Sequence, residues 1–205
     1  LLKQVIIPSS VKSIGKSAFR GCCSLVEIEI PSSVTFIDDE AFNECSSLTQ
    51  ITIPKSAKLI GYYAFCNCTS LQQVTIENPS SLNFIGNFVF YHCFSLKEIT
   101  IPSSVTSIES SAFGACESLK QIIIPSSVKS LSSYAFSNCT SLEQISIPSS
   151  IKSIESSTFF NCASLKQISI PSSIESIGTE AFEKCSSLTQ VIFEMPSSLK
   201  SIGKK

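Results

Sequence analysis

Residues 30–52 read IPSSVTFIDDEAFNECSSLTQIT, and this 23-residue pattern returns along almost the whole chain. Counted from the isoleucine before the proline, units begin at Ile7, Ile30, Ile53, Ile76, Ile101, Ile124, Ile147 and Ile170, and another opens at Phe193. Eight full units thus cover 7–192, with partial units at 1–6 and 193–205. In the fourth unit Glu77-Asn78-Pro79 replaces the single proline and adds two residues, and Phe193-Glu194-Met195-Pro196 repeats that variant. A unit of this size cannot close a core alone, so a fixed period means copies stacked on one another. The chain is therefore read as one repeat solenoid and a single domain.

The recurring identities say which side faces in. Phenylalanine holds one column throughout (Phe19, Phe42, Phe65, Phe90, Phe113, Phe136, Phe159, Phe182), preceded by alanine except at Val89 and Thr158. A large residue beside a small one at every level is a packing signature. The leucine column, Leu25 to Leu188, is followed at i+3 and i+5 by Ile or Val, the alternation of a half-buried strand. Proline after that strand lacks an N–H and ends it, and the Ser-Ser pair turns the corner. A second extended piece is expected near Val34 to Ile37, and the A-F-x-x-C segment is expected to form a helical or 3₁₀ turn with Ala41, Phe42 and Cys45 inward. Stacking at about 4.8 Å per coil gives a parallel sheet roughly 40 Å long. The glycines that recur at one coil position (Gly15, Gly61, Gly86, Gly178, Gly203) are read as relieving a tight turn.

Composition narrows the function classes. Net charge is −1, the charged fraction is 15%, and the 15 basic residues are scattered, so nothing is arranged to neutralise a phosphate backbone. Nucleic acid is not an expected partner. Apolar runs such as Ile122-Ile123-Ile124 fall far short of the ~20 residues needed to span a bilayer, so no direct membrane insertion is expected. Both ends fall in mid-unit, which reads as a segment of a longer protein; end-to-end self-association through Leu2, Val5 and Ile7 or Phe193, Leu199 and Ile202 is a corollary.

An enzyme needs a nucleophile with a base, paired carboxylates or a metal cluster. His92 is the one imidazole, Asp38 and Asp39 are the two aspartates, and no phosphate-cradling glycine loop occurs. The expectation is no catalytic site, no metal and no cofactor. Eight of the 10 cysteines share one repeat column (Cys22, Cys45, Cys68, Cys93, Cys116, Cys139, Cys162, Cys185), where a small buried thiol suffices. Ladder side chains point the same way, whereas a disulfide needs converging ones. Cys23 and Cys66 lie off the ladder and are read as the reactive pair. Asn67-Cys68-Thr69 and Asn138-Cys139-Thr140 match a glycosylation acceptor, but their central cysteines are expected to be buried.

Two surfaces could hold a partner. The outward strand column before the isoleucine reads Gln4, Glu27, Gln50, Gln73, Glu98, Gln121, Gln144, Gln167 and Gln190, and the next outward column is largely Thr, Ser and Ile. Such columns can hydrogen-bond a glycan or extended peptide, or instead pair with one another up the ladder. Separately, Tyr62, Tyr63, Phe84, Phe88, Tyr91 and Phe94 cluster beside His92, with Tyr63 and Phe88 at one repeat position in consecutive units. They are either interface anchors or filler for space opened by the insertion and Val89.

The columns L-x-x-I-x-I-P-x-S-V-x-x-I-G-x-x-A-F-x-x-C, seen here at Leu48 to Cys68, resemble the BspA-like class of leucine-rich repeats over the whole chain. The resemblance implies a curved, right-handed leucine-rich-repeat superhelix with a parallel sheet on one face and short strands or helical turns on the others. It also implies that Ser33 and its equivalents stand where commoner leucine-rich repeats use Asn to satisfy buried backbone groups. Functionally it implies surface proteins of bacteria and mucosal protozoa associated with adhesion, with no shared catalytic residues. The expected role is a cell-surface or extracellular adhesion or ligand-binding module for host or matrix protein or glycan. The competing readings are a structural spacer in a longer array and a cytoplasmic scaffold.

Overall fold

The computed structural model describes residues 2–203; Leu1, Lys204 and Lys205 of the partial end units lie outside the described residues. Among the described residues the chain winds through nine coils, each contributing a first strand, longer than the second in every coil but the fifth, and a second strand of two residues. The longer strands, Gln4–Ile6, Glu27–Glu29, Gln50–Ile53, Gln73–Ile76, Glu98–Ile99, Gln121–Ile123, Gln144–Ser146, Gln167–Ile170 and Gln190–Phe193, line one side. The two-residue strands, from Ser13–Ile14 to Ser201–Ile202, line the next. All pairing is parallel and in repeat register, Gln50 against Gln73 and Gln73 against Glu98, so the inserted residues do not disturb the stacking.

Between the walls runs a continuous core. Phe42, Phe65, Phe90, Phe113, Phe136 and Phe159 are fully buried, as are the leucines from Leu25 to Leu165. Successive phenylalanine rings from Phe19 to Phe182 stack with centroids 5.2–5.9 Å apart and nearly parallel planes. A centroid spacing wider than the coil rise marks offset stacking, the arrangement the ring quadrupole favours.

The third side is not helical, in contrast to the expected helical turn. Each of eight coils holds two residues in the left-handed region, one before the Ala-Phe pair and one before the cysteine, as at Glu40 (φ 56°) and Glu44 (φ 64°). A helix would direct every N–H back along its own chain. Here alternate amides point to the next coil: Glu40, Phe42 and Glu44 donate to the carbonyls of Tyr62, Ala64 and Cys66, while Ala41, Asn43 and Cys45 donate three residues back. The left-handed residues cost about 1–2 kcal/mol each, offset by the coil-to-coil hydrogen bonds that alternate amides of the turn make.

Side chains complete the coil-to-coil bonding. The hydroxyl of Ser33 donates to the Val11 carbonyl at 2.6 Å, and Ser56, Ser127 and Ser173 repeat the bond to Val34, Val105 and Ile151. These serines do take the backbone-satisfying role assigned to them. Ser104, above the inserted turn, is the one whose buried hydroxyl finds no partner. The insertion itself extends the strand: Glu77 and Glu194 supply the N–H that proline lacks, donating to the Ile53 and Ile170 carbonyls at 3.0 Å. Each carboxylate also accepts the backbone N–H at the corner below, Lys55 at 3.0 Å and Ser172 at 3.4 Å.

The glycine column has a different cause from the one expected. Among the glycines only Gly21 has a positive φ, so the column relieves no unusual turn. A Cβ on Gly61 would meet the Asp39 backbone nitrogen at 2.4 Å, and one on Gly178 would meet that of Ser156 at 2.4 Å, whereas Gly15 has open space around it. The constraint is close approach of neighbouring coils. Gly61→Ala should therefore destabilise the chain by about 1–3 kcal/mol while Gly15→Ala stays within about 0.5 kcal/mol, as read by urea unfolding. In the same assay Phe90→Ala should lose about 3–5 kcal/mol and split the unfolding into two transitions, since each coil is held only by its neighbours.

Candidate functional site

The longer strands carry their polar columns outward, as the alternation requires. Glu27 and Glu29 are exposed on either side of buried Ile28, and Gln50 and Thr52 flank buried Ile51 in the same way. Three hollows lie on this face. The first, about 710 Å³, is lined by Gln4, Ile6, Glu27, Glu29, Gln50 and Thr52, with Glu77 at its corner. The second, about 430 Å³, spans Gln121, Ile123, Gln144, Ser146, Gln167 and Ser169, and the third, about 300 Å³, lies between them against Gln73, Thr75, Glu98 and Thr100.

The amides pair only where a glutamate sits beside them: Gln4 Nε2 donates to Glu27 at 3.3 Å and Gln73 Nε2 to Glu98 at 3.4 Å. Among the described residues Gln50, Gln121, Gln144 and Gln167 make no side-chain hydrogen bond, so no self-paired amide ladder forms. Ile6 and Ile123 stand in the outward column at 88% and 80% exposure. Sequence reading had treated them as members of a polar column; they give the face an apolar element beside free amides.

The aromatic residues form a separate feature on the turn side. Tyr63 and Phe88 stack at 4.7 Å with planes 3° apart. Tyr91 meets Phe88 edge-on at 5.5 Å and lies against His92 at 3.9 Å, and Phe94 follows at 5.2 Å from His92. Nδ1 of His92 lies 3.1 Å from Asn67 Oδ1; desolvation lowers its pKa below the ordinary value, opposed by Glu117. Gly114 makes room, since a Cβ there would come within 2.8 Å of the Tyr91 ring.

Two of the six predicted aromatics are not part of this ridge. Phe84 lies in the shorter-strand wall, in register with Ser107, and the Tyr62 amide is held by Asp39 Oδ1 at 2.8 Å; neither ring pairs with another aromatic among the described residues. Sequence reading also passed over Tyr134, which is exposed at the same repeat position as Tyr63 and Phe88, and Phe36, exposed on the shorter-strand wall. The shared column was the signal for Tyr134. It lacks an aromatic neighbour in the next coil and so did not register as a cluster.

Stacked coils with an I-P corner, an A-F turn and a buried cysteine are matched throughout by one family, whose BspA type leucine rich repeat region aligns with residues 1–119 and 83–205. The chain belongs to the BspA-type leucine-rich repeat family. A leucine-rich repeat protein from Bacteroides ovatus is 33% identical and superposes with a TM-score of 0.74, covering 98% of this chain and 48% of that one. The present BspA-type chain thus spans about half the length of that relative. The T. pallidum leucine rich repeat protein is 28% identical with a TM-score of 0.63 over 90% of this chain and 77% of the other. A leucine rich cell surface protein from Faecalibacterium prausnitzii is 24% identical over 95% of this chain and 79% of the other, with a TM-score of 0.40, too loose a fit to transfer anything. No curated protein sequence is similar enough to stand as a relative.

The cysteine column of this BspA-type solenoid does more than fill space. From Cys45 onward each thiol donates to the phenylalanine carbonyl of the preceding coil, Cys45 to Phe19 at 3.1 Å, Cys68 to Phe42 at 3.2 Å, and so on to Cys185 with Phe159 at 3.1 Å. That carbonyl already accepts an amide from its own coil, so the thiol takes its second lone pair. All ten cysteines are free. Burial pushes the thiols up, Cys45 and Cys139 to about 12 and Cys68, Cys93 and Cys116 well above the ordinary value.

The expected reactive pair is corrected. Cys23 is exposed, but Cys66 is only 4% exposed and desolvation raises its pKa to about 11, so it holds almost no thiolate near neutrality. Cys68 and Cys139, at the centre of the two glycosylation patterns, are fully buried as expected. Among the described residues no three His, Cys, Asp or Glu side chains are grouped to hold a metal ion, and no helix is long and apolar enough to cross a membrane. A thiol-specific reagent at pH 8 should modify Cys23 within minutes, half-buried Cys22 more slowly, and Cys66 only after denaturation. The denatured, unreduced chain should then titrate for all ten thiols.

Proposed function

We propose that this BspA-type chain is a non-enzymatic binding module of a cell-surface or extracellular protein. It holds a protein or glycan of a host cell or matrix along its longer-strand face. The observation that carries the reading is a row of hollows along that one face, each lined by amides or hydroxyls. Gln50, Gln121, Gln144 and Gln167 keep donors and acceptors free for a partner, and a polar, water-accessible lining suits an extended ligand better than a compact one. The turn-side ridge of Tyr63, Phe88, Tyr91 and Phe94 supports a second point of contact, because stacked and partly exposed aromatics are frequent anchors of interfaces. Membership of a repeat family built as a binding scaffold supports this reading of location and partner class.

The test is binding of the purified chain to a panel of matrix proteins and glycans, beside a triple Gln121→Ala, Gln144→Ala, Gln167→Ala variant and a double Tyr63→Ser, Phe88→Ser variant. Hydrogen bonds of about 0.5–1.5 kcal/mol each predict that the triple variant binds more than tenfold more weakly while its thermal unfolding is unchanged. A weaker effect from the aromatic pair, with the fold intact, marks the ridge as a second contact. No saturable binding anywhere in the panel would leave the chain a spacer and overturn the reading.

A further inference from the structure

The longer-strand face is not uniform. Its first five coils carry Glu27, Glu29, Glu77 and Glu98, whereas the outward columns of the sixth to eighth coils carry Gln121, Ile123, Gln144, Ser146, Gln167 and Ser169 and no charge. The first hollow gathers three of those glutamates, and no lysine or arginine lines it. Among the described residues none of the three makes a salt bridge. Lys3 and Lys55 stand outside the lining, at the two ends of these strands, and Lys97 Nζ is taken by Gln72 Oε1 at 3.3 Å.

Strand register places Ile6 directly beside Glu29 and Gln4 beside Glu27. An almost fully exposed isoleucine therefore sits between a carboxylate and open solvent in a concave site. Its exposure comes from its column, since Ile123 in mid-array is exposed to nearly the same degree. Glu77 is anchored through one oxygen to the Lys55 amide, which fixes its position at the corner.

Resting on the strand-face reading above, we propose that the hollow formed by the first four coils receives an extended peptide segment of a partner protein that presents a lysine or arginine next to an aliphatic side chain. The cation meets Glu27 and Glu29, and the aliphatic group covers Ile6. In an extended peptide, residues two apart face the same side, so a basic and an aliphatic residue at i and i+2 satisfy both requirements. Several carboxylates converging on one hollow add their attraction for a cation, and that attraction weakens with salt.

The probe is a fluorescein-labelled octapeptide of two Lys-Ser-Ile-Ser units, compared with versions in which glutamine or glutamate replaces lysine. Anisotropy should show saturable binding of the lysine peptide, at least about tenfold weaker for the glutamine version and undetectable for the glutamate one. Glu27→Gln with Glu29→Gln should weaken the lysine peptide about tenfold, and Ile6→Ser should weaken it separately. Glu180→Gln with Glu183→Gln, on the turn side, should leave it unchanged. Equal binding of the three peptides, or equal loss from the turn-side variant, would mean diffuse attraction to an acidic protein and would overturn the proposal. If the lysine peptide fails while a panel ligand is lost in the Gln121, Gln144, Gln167 variant, this inference falls and the strand-face reading stands. If neither binds, both fall.

Discussion

Every part of this molecule answers to one requirement: each coil must offer its backbone donors and acceptors in register to the coil above and the coil below. Parallel ladders meet it on the strand walls. On the third side it is met by pairs of left-handed residues that turn alternate amides toward the next coil. Serine hydroxyls add bonds to carbonyls that the backbone leaves unused, and cysteine thiols to carbonyls it leaves half-used. The phenylalanine stack fills what remains. Because each of these bonds joins neighbours, stability is distributed along the axis rather than concentrated in one centre.

The walls, the core and the corner were legible from residue identity, because hydrophobic columns repeat once per coil and proline marks where the ladder stops. The third side was not. The first left-handed column is held by Ser17, Glu40, Tyr63, Phe88, Ser111 and others with no common chemistry, so composition there gives no sign of a conformation imposed by the neighbouring coil; the second holds residues that tolerate it at Gly21, Asn67, His92, Asn138 and Asn161. Glycine was legible as a position but not as a cause. Gly61 is small because Asp38 and Asp39 crowd it from the coil below, a contact that local turn chemistry does not describe. Cysteine read as a small hydrophobe for a similar reason, since its bond partner lies 26 residues away.

The candidate surfaces divide along the same line. Column arithmetic placed the outward glutamines and predicted the Tyr63–Phe88 stack, both direct consequences of register. It grouped Tyr62 and Phe84 with them because they are near in sequence, whereas the coil sends neighbouring residues to different walls. It also missed that the two outward columns carry Glu27, Glu29 and Glu98 in the first five coils and bare amides in the sixth to eighth, a difference visible only when the columns are set side by side. The face thus offers two chemically distinct stretches along one wall of stacked strands.

The thiol-to-carbonyl file has a consequence for how such a chain can be made. Each sulfur in the file from Cys45 to Cys185 is occupied by a peptide oxygen of the coil below and shut away from solvent or nearly so, so the architecture asks for no oxidant and gains nothing from one. A protein rich in cysteine is usually tied to an oxidising environment. This one can complete its winding in a reducing cell interior and carry the same structure outside.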